Sequence, residues 1–117
     1  MARPANKYAN IALWALQILA AAAFLAAGGP KLAGAPQMVE VFQKVGLGQW
    51  FRYLTGLLEI AGAIGLLVPR YTFYAALLLA TVMVGALVSI FAVLGGSPGP
   101  AALLLVITAA IAWFRKE

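Results

Sequence analysis

Long apolar runs alternate with short clusters of Gly, Pro and charged residues along this chain. A bilayer core needs about 20 apolar residues in a helix. The runs at about residues 10–28, 49–68 and 71–94 meet that length. A fourth run reaches it only in part: residues 101–114 give about 21 Å at helical rise, and starting the helix near residue 98 lengthens it. The expectation is an all-α fold: an integral membrane four-helix bundle forming one domain over residues 1–117. A cleavable leader is the rival reading of the first run, because a basic head precedes it and small residues follow.

The punctuation between runs predicts where helices end. Gly28, Gly29 and Pro30 read as a stop for the first span, since glycine permits left-handed closure and proline blocks continuation. In APQMVEVFQKVGLG, Met38, Val41, Phe42 and Val45 recur at helical spacing, with Pro36 suited to a first turn and Gly46 to a stop. That segment is too short to span, so it predicts an interfacial helix between spans 1 and 2. Trp50, Phe51 and Tyr53 start the second span as an aromatic belt, and Tyr71, Phe73 and Tyr74 start the third. GGSPGP at residues 95–100 predicts a tight turn.

Composition narrows the chemistry. The 117 residues are 65% hydrophobic and 9% charged, against about 45–50% and 25% in soluble domains. With no Cys and no His, disulfides, thiol chemistry and histidine ligation of zinc or haem are excluded. No metal site, cofactor or catalytic residue is expected. The net charge of +5 comes from basic residues at loop ends, the usual positions of snorkelling and topology charges, so nucleic acid is not an expected partner and membrane lipid is. Four spans place both termini on one side with Arg3, Lys7, Arg70, Arg115 and Lys116, against Lys31, Lys44 and Arg52 on the other. That balance predicts cytoplasmic termini, and the expected location is the cell membrane (an inner membrane).

Glu59 lies near the middle of the second span, where a carboxylate costs at least about 2.5 kcal/mol unless paired or protonated. Its helical neighbours are Arg52, Thr55, Gly56, Gly62, Ala63 and Leu66, mostly small residues that permit close helix approach. Thr55 lies one turn away, within reach of a bond to the carboxyl group. Depth counting from helix ends puts Gln17 about 16 Å and Glu59 about 14 Å below one surface, with Thr81 and Thr108 at a similar level. The expectation is one central polar layer of Gln17, Glu59, Thr81 and Thr108. The plainer alternative has the threonines bonded to their own helix carbonyls and Gln17 acting as packing glue. Lys31 reads either as an interfacial snorkeller or as a partner of Glu59 or of an anion, pairing with Glu59 only if the chain dips inward at Gly28–Pro30.

FLAAGGPKL (residues 24–32), MVEVFQKVGL (38–47), GLLEIAGAIGLLVP (56–69) and MVGA (83–86) together resemble the DoxX / DoxX-like family. Many relatives place a histidine soon after the last of these segments. Here the stretch reads LVSIF, so a role resting on that histidine does not carry over. The resemblance implies a four-helix integral membrane protein. Its founding name belongs to a membrane subunit of a thiosulfate:quinone oxidoreductase. Some bacterial relatives are tied to oxidative-stress complexes and some eukaryotic ones to membrane-protein assembly.

Three functions fit. The first is a non-catalytic subunit or scaffold of a membrane-associated, redox-linked complex with a protein partner. The second is binding of a quinone or other lipophile at Glu59 and Gln17, with Trp14 or Phe24 packing the ring. The third is a small proton-coupled transporter built on Glu59, which would suit a homo-oligomer better than a single chain. Lys31, Thr55, Thr81 and Thr108 complete the set of intramembrane candidates.

Overall fold

The computed structural model describes residues 6–116. Arg3, counted above among the topology charges, lies outside them. Among the described residues there are five α-helices and no strand: α1 (Lys7–Ala33), α2 (Pro36–Val45), α3 (Gln49–Leu66), α4 (Thr72–Ser89) and α5 (Gly99–Arg115). A π-helical turn, Ile90–Leu94, continues α4.

The first helix departs from expectation at its C-terminal end. Asn6 caps its start by accepting from the Tyr8 N–H at 2.7 Å. Gly28, Gly29 and Pro30 then lie inside the helix rather than ending it. The stop comes at Gly34, whose φ of 76° is left-handed and whose N–H bonds the Pro30 carbonyl. Gly28 is buried there against α3, where a Cβ would come within 2.9 Å of the Gly56 carbonyl oxygen. Arg52 of α3 donates from Nη1 to the Lys31 carbonyl, satisfying an acceptor in the last turn of α1. Tertiary packing thus carries α1 past a local proline signal that favours stopping.

The other boundaries lie closer to those read from sequence. Pro36 opens α2, and Gly46 at φ 82° closes it with its N–H on the Phe42 carbonyl. The turn after the π-helical segment uses Gly95 at φ 71° and Gly96 at φ 85°, a region open to glycine at little cost.

Helix α1 packs on α3, α3 on α4, α4 on α5, and α5 back on α1. Small residues set the spacing. A Cβ on Gly62 would meet Leu79 Cδ2 at 2.6 Å, and one on Gly65 would meet the Ala75 Cβ at 2.8 Å. Phe24, Ala63, Leu66, Ala76, Leu79 and Ile111 form a core with essentially no solvent exposure. The outer faces are also apolar: Ile11, Ile18, Leu57, Ile64, Phe91, Leu103 and Val106 are exposed. Among the described residues two helical stretches are long and apolar enough to cross a membrane, Lys7–Ala33, with mean hydropathy 2.0, and Thr72–Leu94, with 2.7; α3, read from sequence as the second span, is not one of them, and α5 is a shorter apolar helix.

Candidate functional site

The register of α1 against α3 decides which polar groups meet. Counting from helix ends sets Gly28 level with Trp50. In the structure Gly28 faces Gly56. The step from Trp50 to Gly56 is six residues, about 9 Å at helical rise. Lys31 therefore descends toward Glu59, and its Nζ lies 2.7 Å from Glu59 Oε1. Pairing comes with α1 continuing as helix through Gly28–Pro30, where the sequence predicted a break. The Gly28–Gly56 crossing makes it possible, since a Cβ on Gly56 would lie 2.9 Å from the Lys31 Cβ.

The pair is enclosed. The Lys31 side chain is 15% exposed and that of Glu59 2%. Lys31 Nζ also donates to the Ala27 carbonyl of its own helix at 3.3 Å. Arg52 does not reach the carboxylate; its Nε donates to Gln49 Oε1 at 2.8 Å and its guanidinium stacks over Tyr53 at 4.2 Å. Thr55 does not bond the carboxylate either. Its hydroxyl donates to the Phe51 carbonyl of its own helix at 2.8 Å.

Beside this pair lies a cavity of about 410 Å³. Helices α3 and α4 approach closely at Gly62 and Gly65, and the cavity occupies the space between them toward the other end of the molecule. Met38, Val41, Phe42 and Val45 of α2 cover it, and Ile90 and Leu94 of the π turn border it. The sequence periodicity of α2 thus identified its inward face. Lys31, Thr55, Glu59, Thr81 and Ser89 supply the polar groups of an otherwise apolar wall. Thr81 and Ser89 donate to the carbonyls of Leu77 and Gly85 at 2.9 and 3.0 Å, so their hydroxyl protons are engaged within α4. Wall composition and volume fall in the range of small-molecule sites, about 300–1,000 Å³ with few convergent polar groups.

The single polar layer is not what the structure shows. Gln17 lies opposite the C-terminal end of α3, and its Nε2 donates to the Leu66 carbonyl at 2.8 Å. Leu66 is seven residues beyond Glu59, about 10 Å along α3. The Thr72 hydroxyl reaches the same carbonyl at 3.1 Å. Gln17 Oε1 accepts from Arg115 Nε at 2.9 Å, and Arg115 Nη1 donates to Asn10 Oδ1 at 2.8 Å. This second cluster joins α1, α3, α4 and α5. Thr108 is buried and bonds the Leu104 carbonyl of its own helix at 2.8 Å. Phe24 belongs to the core, and neither Phe24 nor Trp14 borders the cavity.

Arg115 corrects the sequence reading most sharply. Taken as an interface charge, it is 1% exposed. Its spacing held a signal: Thr108, Ile111, Ala112 and Arg115 share one helical face, and all four are buried. Asn10, Gln17, Phe24 and Lys31 likewise recur every seven residues on one face of α1. Among the described residues no group of acidic side chains could hold a metal ion.

A sequence model described as the DoxX-like family matches residues 15–115. No curated protein and no solved structure matches the chain.

Proposed function

The chain belongs to the DoxX-like family and is a small membrane protein, and from that premise we propose that it is a four-helix bundle binding a lipophilic molecule beside Lys31 and Glu59. The observation that carries this reading is the 410 Å³ cavity whose apolar wall contains that buried ion pair. A quinone, with oxygens that accept or donate hydrogen bonds on a lipophilic body, fits the description. Such a protein serves as the non-catalytic, lipophile-holding subunit of a membrane assembly, its partner supplying any electron carrier.

The membrane arrangement rests on dimensions and surface. The molecule measures 46 Å along its long axis, close to the roughly 40–45 Å of a bilayer with headgroups. Its outer apolar side chains face lipid in this reading, where a soluble protein would leave large patches exposed. The Arg115–Asn10 bond brings the beginning of α1 and the end of α5 to the same side. Exposed Lys7, Arg70 and Lys116 lie toward that side and exposed Lys44 toward the other, which favours cytoplasmic termini.

Native purification into lipid nanodiscs, followed by mass spectrometry of bound small molecules, tests the reading. The expected result is a lipophile retained at near-stoichiometric occupancy. A chain that carries only bulk lipid and binds no added quinone or long-chain alcohol would overturn it.

A further inference from the structure

The charge balance of the cavity selects the head of the ligand, and this inference rests on the binding reading above. Lys31 and Glu59 sum to no net charge. The pair lies ten residues along α3 from Gln49, about 15 Å below the level where that helix begins. A third charge brought to that depth would stand uncompensated in a nearly dry site, where isolated charges are strongly disfavoured.

The pair is neutral, yet it has hydrogen-bonding capacity to spare. An ammonium has three N–H donors. Among the described residues two of them have partners, Glu59 Oε1 and the Ala27 carbonyl. A carboxylate accepts at about four positions, and Lys31 is the one described side chain on it. Both groups border the cavity. Lys31, with 15% of its side chain exposed, is the member a ligand oxygen meets first, and the Glu59 carboxylate, 2% exposed, stands directly behind it, so a ligand hydroxyl reaches Glu59 by a small side-chain shift with the ion pair intact.

We propose that Lys31 and Glu59 together form a charge filter that admits uncharged lipophiles bearing a hydroxyl or carbonyl head and rejects anionic and cationic amphiphiles of the same chain length. A phospholipid fails this filter, because its phosphate cannot descend to the pair. Neutrality belongs to the pair, so removing either member should invert selectivity in a stated direction. With Glu59 replaced by Gln, Lys31 is an unbalanced cation that an anionic head can neutralise. With Lys31 replaced by Met, Glu59 is an unbalanced anion that calls for a cationic head. Exchanging the two residues restores neutrality and with it the original preference.

The experiment uses the protein in neutral-lipid nanodiscs and three probes of one chain length: 1-hexadecanol, hexadecanesulfonate and hexadecylamine. Binding is read by native mass spectrometry and by the shift in Tm on probe addition. Wild type should prefer hexadecanol over both charged probes by about tenfold or more, a difference of one decade in Kd. E59Q should prefer hexadecanesulfonate, K31M should prefer hexadecylamine, and the K31E/E59K double variant should again prefer hexadecanol. Where a single variant folds poorly, rescue of its Tm by the matching charged probe alone is the equivalent readout, and the double variant provides an independent arm. Equal binding of the three probes by wild type, or unaltered preference in all variants, overturns the charge filter while leaving lipophile binding in place. Binding of none of the probes by wild type overturns both.

Discussion

The two polar clusters in this molecule use similar residues to opposite ends. In one, Arg115, Gln17, Asn10 and Thr72 converge on each other and on the Leu66 carbonyl. In the other, Lys31 and Glu59 meet at 2.7 Å on the wall of a cavity. The first spends its donors and acceptors on tying α1, α3, α4 and α5 together at one end. The second also holds two helices together, but it lies on a cavity wall and leaves hydrogen-bonding positions without protein partners. Burial and hydrogen bonding alone therefore do not separate the two clusters. What distinguishes the two clusters is unused bonding capacity facing open volume.

Removing a charge from the second cluster should have the largest effect on stability. Lys31→Met leaves the Glu59 carboxylate buried without its cation, and loss of one partner of a buried pair costs roughly 3–5 kcal/mol. Reversible unfolding in mixed micelles should show this, and K31M/E59L should recover most of it. If K31M unfolds like wild type, the pair contributes nothing to the fold.

Gln17→Leu attacks the other cluster. It takes an acceptor from Arg115 and a donor from the Leu66 carbonyl, at an expected cost of about 1–3 kcal/mol. Thr72 still serves that carbonyl, which limits the loss. The contrast predicts that Kd for a neutral lipophile stays within about twofold, far below the tenfold that 1.4 kcal/mol represents. A large loss of affinity would show that the two clusters act as one site.

Gly56→Ala tests the crossing that creates the pair. The added methyl would sit 2.9 Å from the Lys31 Cβ and 3.1 Å from the Gly28 carbonyl. Overpacking of this kind costs about 1–3 kcal/mol, and separation of α1 from α3 should weaken ligand binding together with stability. The smallest effect is expected from Thr81→Val on the cavity wall, within about 0.5 kcal/mol. Its hydroxyl is turned to the Leu77 carbonyl, so both stability and affinity should hold. A marked loss of affinity would make Thr81 a binding group in its own right.

Much of this organisation was legible in the sequence. The helical segments, the inward stripe of α2 and the small-residue face around Glu59 follow from periodicity and from the limits that Pro36 and Gly46 impose. The back-bonding of Thr81 and Thr108 is the ordinary behaviour of threonine in a helix. The partnership of Lys31 with Glu59 depended on something no local pattern encodes, the sliding of α1 along α3 until Gly28 meets Gly56. Counting from helix ends could not find that register, because Gly28–Pro30 mimics a helix end that packing overrides. Arg115 was missed for a related reason. Its terminal position suggested an interface charge, while its helical phase with Thr108 and Ile111 placed it inside.

If the cavity beside Lys31 and Glu59 holds a lipophilic ligand, filling it should displace that ligand. Gly85 borders the cavity, and a Cβ added there meets no atom within 4 Å. Gly85→Phe should place a ring in the open volume while leaving the ion pair and the Gln17–Arg115 cluster intact. The measurement is occupancy by 1-hexadecanol in nanodiscs, read by native mass spectrometry beside an unfolding curve. The expected result is a folded variant of near wild-type stability whose occupancy falls at least about tenfold. A folded Gly85→Phe protein that binds the probe as wild type does would mean that the lipophile does not sit in this cavity.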